Sequence, residues 1–426
     1  MKNSEFVKDQ QKEKVFLVIV DYKKDKRGLD CWSAEETLEE MKDLVVACGG
    51  DVVDSMICRL DGPSARYLIG EGKVEEIVGL CGVNGVDTVV FSDDLKGSQK
   101  RNLENEIKVT VIDRTQLILD IFARRATSKE GKMQVELAQL EYLLPRLTGH
   151  GVELSRLGGG IGTLGPGETK LEVDRRRIAE RINRLRKNLM SVVSDRSLKR
   201  KKRKDKGAPA ISLVGYTNAG KSTLLNVLTG SEQITRDGLF TTLDSLSRQL
   251  VLTNNQKVIL SDTVGFMHEL PHHLIESFKA TLEEVQEADV LLHVVDVSHE
   301  NFRHRYEAVE IVLEELKSKD KPTIVVLNKI DKLAERDGLD SLKGNYQRAV
   351  CISAKNEENI GELLEVIRKE LAALFVEIDV DVPINRMDLV NIAHDEGQVY
   401  SIKYYNDKIN IRAAMPSSLV GKFYLK

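Results

Sequence analysis

The segment GYTNAGKS, residues 215–222, has the spacing of a phosphate-binding loop. It follows an apolar stretch, AISLV, and opens a helical pattern, KSTLLNVL, which is the strand–loop–helix context that the motif requires. In such a loop, backbone N–H groups surround phosphate oxygens, a lysine neutralises them, and a serine hydroxyl ligates Mg²⁺. The predicted phosphate-binding residues are Gly215, Tyr216, Thr217, Asn218, Ala219, Gly220, Lys221, Ser222 and Thr223.

The segment NKID, residues 328–331, predicts which base is bound, because it follows the apolar stretch TIVVL at the same edge of the sheet. A carboxylate at Asp331 can accept hydrogen bonds from both the ring N–H and the exocyclic amine of guanine. Adenine offers neither donor in that geometry, and an unpaired buried carboxylate is costly. The predicted base-binding residues are Asn328, Lys329, Ile330 and Asp331, with Ser353, Ala354 and Lys355 after the next strand.

Two further segments are expected to contact Mg²⁺ and the terminal phosphate. In DTVG, residues 262–265, Asp262 suits a water-mediated Mg²⁺ contact and the Gly265 N–H suits the γ-phosphate. In FTTLD, residues 240–244, a threonine should complete the Mg²⁺ shell with Ser222; Thr242 is preferred, but the sequence does not separate it from Thr241. The remaining nucleotide-binding residues predicted here are Phe240, Leu243, Asp244, Thr263 and Val264. Four motifs in this order, each at the end of a strand, predict a Mg²⁺-dependent GTPase.

The residue after DTVG is Phe266, which predicts slow hydrolysis. Many GTPases have a glutamine there that orients the attacking water, and a phenylalanine can neither donate nor accept a hydrogen bond. Asn218 is a candidate to assist hydrolysis, since its amide could hold K⁺ where an arginine finger acts in other GTPases. Alternatively, Asn218 only shapes the loop. The expected catalytic residues are Lys221, Thr242, Gly265 and Asn218.

Alternating apolar and helical patterns must position these motifs. The first 126 residues contain four strand-like stretches, VFLVIV, DVVDSMICRL, DTVVFSD and VTVIDR, each followed by a helical pattern, the first with a Ser33 cap. The alternation predicts a parallel α/β sheet, and it returns between Ala210 and Leu374 around the motifs. The last fifty residues predict a small α+β domain with a strand VEIDVDVP, a helix at RMDLVNIA and paired strands QVYSIKYY and INIRAAM.

Two heptad-like segments lie between the alternating regions and predict an antiparallel helical hairpin. Their apolar residues are Met133, Leu137, Leu140, Leu144 and Leu147, and then Ile178, Ile182, Leu185, Leu189 and Val192. The segment SLKRKKRKDKGAP, residues 197–209, is predicted to be an exposed linker. The predicted domains are an α/β domain at 1–128, the hairpin with its Gly-rich loop and basic linker at 129–206, the GTPase domain at 207–374, and the α+β domain at 375–426.

Composition narrows the class of protein. With 41% apolar and 31% charged residues, no long apolar run, a polar first segment and five unpatterned cysteines, the chain is predicted to be a cytoplasmic protein without a membrane span. Arg175 to Lys206 contains fifteen Lys and Arg against three acidic residues, a local charge of +12 in a chain of net charge −4. This basic arm is either a solvated helix face and linker or a nucleic-acid contact.

The chain resembles the HflX family of ribosome-associated GTPases, in the Obg–HflX-like group of P-loop GTPases, over about Gly62 to Leu374. The segments that carry the resemblance are DTVGFMHELPHHLIESFKATLEEVQEAD, RNLENEIKVTVIDRTQLILDIFARRA, QVELAQLEYLLPRL and LSRLGGGIGTLGPGETKLEVDRRR. The resemblance implies a protein that binds GTP or GDP and the large ribosomal subunit with its RNA, and that splits stalled or idle ribosomes. A monomer is expected, although the sequence does not determine the oligomeric state. The resemblance also implies that the N-terminal domain and hairpin contact ribosomal RNA, with peripheral membrane association as a further option.

The Gly-rich segment GGGIGTLGPGETK, residues 158–170, allows three interpretations. A nucleotide loop is disfavoured because helical patterns flank it, it lacks G-K-S, and Glu168 stands where a phosphate would bind. A passive linker and an RNA-reaching loop both fit, and the second is favoured because side-chain-free backbone can approach RNA closely. The expected RNA-binding residues are Arg156, Gly158, Gly159, Gly160, Arg175, Arg176 and Arg177.

Three other functions are compatible with parts of the sequence. An ATP-dependent kinase or helicase would need an adenine site. An RNA-binding NTPase with an additional ATP-dependent, helicase-like activity in the N-terminal region is the main alternative, although no phosphate loop is visible there. In the third, the chain is a non-enzymatic RNA-binding adaptor. GTP turnover measured with and without ribosomal subunits would distinguish them.

Overall fold

The computed structural model describes residues 12–22, 32–147, 170–204, 208–230, 240, 246–252, 256–268 and 279–424. The chain forms two compact units, one of Met1–Ala126 with Lys132–Arg186 and the other of Thr127–Gly131 with Lys187–Lys426. Each unit is described by itself. The predicted α/β fold class is confirmed; the division into four domains stays a prediction.

The first unit contains a four-stranded parallel sheet, as the alternation predicted. Its strands are β1 (Lys14–Tyr22), β2 (Asp51–Leu60), β3 (Thr88–Phe91) and β4 (Thr110–Asp113), in the order β2-β1-β3-β4. The helices that alternate with them are α1 (Ala34–Ala47), α2 (Glu71–Asn84), α3 (Gly97–Ile107) and α4 (Arg114–Arg125). The predicted Ser33 cap is present, because its hydroxyl accepts from the Glu36 N–H in a capping box that satisfies otherwise unpaired donors.

Two longer helices follow, α5 (Lys129–Arg146) and α6 (Lys170–Lys204). Ion pairs link them, with Arg181 Nε 2.6 Å from Glu136 Oε1 and Arg186 Nη2 2.7 Å from Glu141 Oε1. The Gly-rich loop between them lies outside the described residues, and the antiparallel direction of the hairpin stays a prediction.

The prediction of an exposed linker from residue 197 was wrong as far as residue 204, because α6 continues to Lys204. Lys, Arg and Leu have high helix propensity, and the segment contains no glycine or proline before Gly207. The basic arm is therefore helical for most of its length.

The second unit contains a six-stranded sheet with the order β10-β9-β8-β5-β7-β6. Its strands are β5 (Ala210–Gly215), β6 (Leu246–Val251), β7 (Lys257–Asp262), β8 (Val290–Asp296), β9 (Thr323–Asn328) and β10 (Ala349–Cys351). The helices are α7 (Lys221–Thr229), α8 (Lys279–Glu287), α9 (Phe302–Glu315), α10 (Leu339–Gly344) and α11 (Ile360–Ala372), with a 3₁₀ turn at Ile330–Lys332. All neighbouring strands are parallel except β6, which pairs antiparallel with β7 and was not predicted.

The same unit ends in a three-stranded antiparallel sheet, as predicted, in the order β11-β13-β12. The strands are β11 (Phe375–Pro383), β12 (Gln398–Tyr404) and β13 (Lys408–Pro416), and the helices are α12 (Met387–Glu396) and α13 (Ser417–Tyr424). Alternate residues of β11, Ile378, Val380 and Val382, are buried with residues of both helices, which is the period expected of a sheet with one covered face. Helix α13 was not predicted. Among the described residues, no helix combines the length and apolarity needed to cross a membrane.

Candidate nucleotide site

The sheet topology brings the predicted motifs to one edge of the second unit. Gly215, Asp262 and Asn328 end the strands β5, β7 and β9, and Ser353 comes two residues after β10. These four strands point in the same direction within one sheet. Ligands of open α/β sheets bind outside this carboxyl edge, so the topology supports one shared site.

The loop from Gly215 to Gly220 needs glycine at both ends. The φ angles are +151° at Gly215 and +98° at Gly220, a region that other residues rarely adopt. A Cβ at Gly215 would collide with the Val294 carbonyl oxygen, and one at Gly220 would collide with the Asn328 side-chain amide. Asn218 is exposed at the turn between them, with a left-handed φ of +59°.

Lys221 is buried at the start of α7, with only 5% of its surface exposed. Its ammonium donates to the carbonyl oxygens of Gly215 at 2.9 Å and Tyr216 at 2.8 Å. The pKa of Lys221 is lowered to about 8, mainly by burial; the Asp262 carboxylate partly opposes this shift, and the nearby Lys329 adds a smaller lowering. A phosphate beside this ammonium would stabilise its charged form.

Ser222 and Asp262 lie together beneath the loop. The Ser222 hydroxyl donates to Asp262 Oδ2 at 2.7 Å, and Asp262 is fully buried. Hydroxyl and carboxylate oxygens are the hard ligands that Mg²⁺ prefers, so the two residues fit the predicted metal contact. The preferred third contact, Thr242, lies outside the described residues, as do Thr241, Leu243 and Asp244; Phe240 is buried.

Asn328 joins the phosphate loop to the base-binding segments. Its Nδ2 donates to the Ala219 carbonyl oxygen at 2.8 Å, and its Oδ1 accepts from the Ala354 N–H at 3.0 Å. Because the side chain is 98% buried, these hydrogen bonds are protected from water. The sequence predicted this residue in the base site but not its role as a link between two loops.

Asp331 lies in the 3₁₀ turn after β9, and the Ser353 hydroxyl donates to its Oδ1 at 2.6 Å. This hydrogen bond is the main reason why the pKa of Asp331 is below its ordinary value, with Lys355 among the smaller causes. The carboxylate is therefore ionised and available as an acceptor at neutral pH. Lys329, at a left-handed φ of +66°, forms an ion pair with Asp296 at 2.7 Å, a contact that sequence reasoning missed.

The DTVG segment packs directly against the phosphate loop. Thr263 donates from Oγ1 to the Leu213 carbonyl oxygen at 2.7 Å. A Cβ at Gly265 would lie 2.9 Å from Thr217 Cα and 3.2 Å from Lys221 Nζ, so no side chain fits there. Phe266 is 99% buried, which places its ring in the core and leaves its backbone to contact the loop.

His293 is a buried titratable residue that the sequence did not single out. It lies on β8, with its ring stacked on Tyr306 at 4.5 Å between centroids and its Nδ1 3.3 Å from Glu310 Oε1. Burial lowers the pKa of His293, which favours the neutral imidazole. A histidine within an apolar strand pattern carries no signal that separates such a core residue from a functional one.

The predicted RNA-binding residues lie only partly within the described chain. Arg175, Arg176 and Arg177 are exposed on α6, and Arg177 is 3.8 Å from Asp174 one helical turn away. Arg156, Gly158, Gly159 and Gly160 lie outside the described residues. The assignment of these residues to RNA stays a prediction.

Three family profiles match consecutive parts of the chain. They are described as "GTP-binding GTPase N-terminal" at residues 35–123, "GTP-binding GTPase Middle Region" at 125–203, and "50S ribosome-binding GTPase" at 210–329. Their order agrees with the succession of the parallel sheet, the two long helices and the six-stranded sheet.

Curated relatives match most of the chain under one name. A protein of Caldanaerobacter subterraneus named GTPase HflX is 46% identical over 379 residues, covering 89% of this chain and 87% of the relative. The Escherichia coli protein of the same name is 42% identical over 338 residues, covering 79% of each chain. Among solved structures, a GTP-binding protein from Sulfolobus solfataricus in complex with GDP is 26% identical, with a TM-score of 0.44 over 85% of this chain and 99% of the other.

Proposed function

The chain belongs to the HflX family of GTPases, and we propose that it couples GTP hydrolysis to binding of the large ribosomal subunit and to the splitting of stalled or idle ribosomes. It would act as a monomer in the cytoplasm. The proposal has two parts, a nucleotide site with guanine selectivity and a basic surface that binds ribosomal RNA.

The observation that carries the nucleotide part is the double contact of Asn328. One side chain fixes the distance between the phosphate loop and the Ser353–Lys355 segment through Ala219 and Ala354. Asp331 lies within this frame, held by Ser353 with its carboxylate ionised. A guanine with its phosphates at Lys221 would thus meet a preorganised acceptor, which favours the correct base at little reorganisation cost.

Each side chain has a distinct task in the proposed reaction. Ser222, Thr242 and, through water, Asp262 would hold Mg²⁺, which supplies electrostatic stabilisation to the phosphates when bound. Lys221 would stabilise charge on the phosphate oxygens, and the Gly265 N–H would contact the γ-phosphate. Phe266 is buried and cannot orient water, so turnover is expected to be slow in the isolated protein.

The part of the proposal that concerns RNA rests on helix α6. Arg175, Arg176 and Arg177 are exposed in a segment of local charge +12 within an otherwise acidic chain. Such a helix can neutralise phosphates of the RNA backbone without reading its sequence. The description of the matched profile as a 50S ribosome-binding GTPase supports the same partner.

The test measures GTP turnover by the purified protein alone, with large subunits, with small subunits and with whole ribosomes, while light scattering follows ribosome dissociation. We expect large subunits to raise turnover by about tenfold or more, and whole ribosomes to dissociate in the presence of GTP. Stimulation by small subunits alone would contradict the proposal. ATP turnover coupled to RNA unwinding would instead support the helicase-like alternative.

The same assay tests the proposed K⁺ contact of Asn218. The residue is exposed at the turn of the phosphate loop, where its amide can reach a cation beside the phosphates. We expect higher turnover in K⁺ than in Na⁺, and no such difference in Asn218→Ala. Equal rates in the two salts would remove this contact and leave the rest of the proposal unchanged.

A further inference from the structure

The carboxylate of Asp296, at the end of β8, is held through both of its oxygens. Its Oδ2 lies 2.7 Å from the Lys329 ammonium. Its Oδ1 accepts from the Ser298 hydroxyl at 2.6 Å and from the Ser298 N–H at 3.1 Å. Because Ser298 restricts the rotation of this carboxylate, Lys329 has an acceptor in a fixed position.

The sheet and the turn after it place the two partners side by side. Asp296 is opposite Asn328 in the register of β8 and β9, and the Val297 N–H donates to the Asn328 carbonyl oxygen at 3.1 Å. Lys329 follows with a φ of +66°, which is uncommon for a residue other than glycine, and directly precedes the 3₁₀ turn that carries Asp331. The backbone of the base-binding segment therefore directs Lys329 toward Asp296.

The ion pair lies close to the phosphate loop. Asp296 lines a small cavity together with the loop residues Thr217 and Ala219. Lys329 is near enough to Lys221 to lower the pKa of that ammonium. The side chains of Lys329 and Asp296 are only 17% and 14% exposed, so the lysine is packed beside the loop and does not extend into solvent.

We propose that Asp296 is a positioning residue for guanine nucleotides, because it holds the Lys329 side chain in place before the nucleotide binds. The inference rests on the proposed function, in which Lys329 belongs to the base-binding segment. A long, flexible side chain loses conformational entropy when it is ordered, and ordering it during binding lowers affinity. Asp296 removes this cost by ordering Lys329 in the free protein, and it acts through Lys329 without a contact of its own to the nucleotide.

The test is a double-mutant cycle on the intact protein, with the affinities for GDP and for a non-hydrolysable GTP analogue as readouts. Asp296→Asn removes the charge and keeps the shape, while Lys329→Met keeps an unbranched chain without the ammonium. We expect Asp296→Asn to weaken binding of both nucleotides by about threefold to tenfold. In the Lys329→Met background the same substitution should change affinity by less than about twofold, because its effect passes through the lysine.

The matched control is Asp381→Asn on β11, which also removes a carboxylate paired with a lysine, Lys408, and should leave both affinities unchanged. Equal losses from Asp296→Asn in the two backgrounds would assign Asp296 a merely structural role and overturn the proposal. A gain in affinity would overturn it as well, since the ion pair would then withhold the ammonium from the nucleotide.

Acylation of lysine amines in the nucleotide-free protein, followed by mass spectrometry, gives a second readout. Labelling of Lys329, measured relative to the exposed Lys332, should rise in Asp296→Asn because the amine is released from its partner. Unchanged labelling would show that Asp296 does not hold the lysine. If the wild type failed to prefer GDP over ADP, the proposed function would fail, whereas the labelling would still decide whether Asp296 positions Lys329.

Discussion

At the residue scale, the proposed guanine selectivity depends on Asp331. Its Oδ1 accepts from the Ser353 hydroxyl, which lowers the pKa of the carboxyl and keeps it ionised as an acceptor. Replacement by asparagine puts a donor where guanine also presents a donor. We expect Asp331→Asn to weaken GTP binding by about tenfold to a hundredfold, equivalent to about 1.5–3 kcal/mol, and to favour xanthine nucleotides.

The measurement is a titration with GTP and XTP of the wild type, Asp331→Asn and the control Asp337→Asn. Asp337 is an exposed carboxylate a few residues away, so its replacement makes the same change in net charge outside the site. Similar GTP affinities for Asp331→Asn and the control would contradict the assignment of Asp331.

Lys221 should make nucleotide binding depend on pH. Its pKa is lowered to about 8 by burial, so the free protein starts to lose this charge in mildly alkaline solution. Bound phosphates stabilise the ammonium and raise its pKa, which couples binding to the uptake of a proton. Above pH 8 we expect GDP affinity to fall with pH, at most about tenfold per unit.

The control for this pH dependence is Lys221→Arg, which stays charged throughout. Titration of GDP itself affects both proteins equally. The difference between their slopes of log affinity against pH, measured from about pH 7.5 to 9.5, therefore reports on Lys221 alone. Parallel slopes would show that the lysine keeps its charge in the free protein.

The lowered pKa of Lys221 also affects stability. Between about pH 8 and 10, this lysine binds more protons in the unfolded chain than in the folded protein. Its unfavourable contribution to folding therefore diminishes as pH rises through that window.

Motif residues could be predicted from the sequence because their chemistry demands fixed residue types beside one another. Gly215, Lys221 and Asn328 lie where the strand–loop pattern put them. The contact between Tyr216 and His268 spans 52 positions, and neither residue type is diagnostic. The ion pair between Lys329 and Asp296 could not be predicted either, since it forms only because the ends of β8 and β9 are neighbours in the sheet.

At the scale of elements, α5 is attached to the first sheet by a buried carboxylate. Asp113, at the end of β4, is fully buried and accepts from the Tyr142 hydroxyl at 2.8 Å and from Arg146 at 3.3 Å. The Arg146 guanidinium also lies 3.5 Å above the Tyr142 ring. The backbone N–H groups of Leu95 and Gln116 complete the shell of donors, which is the arrangement that makes a buried charge tolerable.

Removal of the Tyr142 hydroxyl should therefore destabilise the first unit. We expect Tyr142→Phe to lower its free energy of unfolding by about 1–2 kcal/mol, because a hydrogen bond to a charged, buried acceptor is lost while the other donors remain. Urea unfolding can be followed by the fluorescence of Trp32, the one tryptophan of the chain.

The matched control is Tyr67→Phe in the same unit. Its hydroxyl donates to Glu106, whose side chain is half exposed and can be rehydrated, so a loss below about 1 kcal/mol is expected. Equal losses in the two variants would mean that the burial of Asp113 does not strengthen its hydrogen bond.

Elements were predictable where their apolar pattern is strong. The two central strands of the first sheet, β1 and β3, contain continuous apolar runs because inner parallel strands are covered on both faces. Strand β6, LSRQLV, is an edge strand with exposed residues and offers no such run. The end of α6 was misplaced for the opposite reason, since a run of Lys and Arg has helix propensity but no periodicity from which a helix can be recognised.

At the scale of the whole molecule, charge is unevenly distributed along the sequence. The segment from Arg175 to Lys206 carries +12, whereas the chain as a whole carries −4. An acidic remainder disfavours nonspecific attachment to RNA, so the basic helix would restrict polyanion binding to one surface. Ion pairs with Glu136 and Glu141 neutralise Arg181 and Arg186 in the first half of this segment, while the three arginines at 175–177 are exposed.

This distribution predicts how ribosome binding responds to salt. If the three exposed arginines contact phosphates, each contact releases counterions, and the logarithm of affinity falls linearly with the logarithm of salt concentration. Replacement of Arg175, Arg176 and Arg177 by glutamate should weaken binding to large subunits and flatten that slope by about two to three units.

The control is Lys319→Glu together with Arg368→Glu, exposed cations of the second unit that pair with Glu314 and Glu365. GTP affinity of the free protein should be unchanged in the triple variant, because the phosphate loop is formed by residues 215–222 and its Lys221 and Asn328 contacts lie within the second unit. A salt slope equal to that of the wild type would mean that α6 is a solvated face and that the ribosome is bound elsewhere.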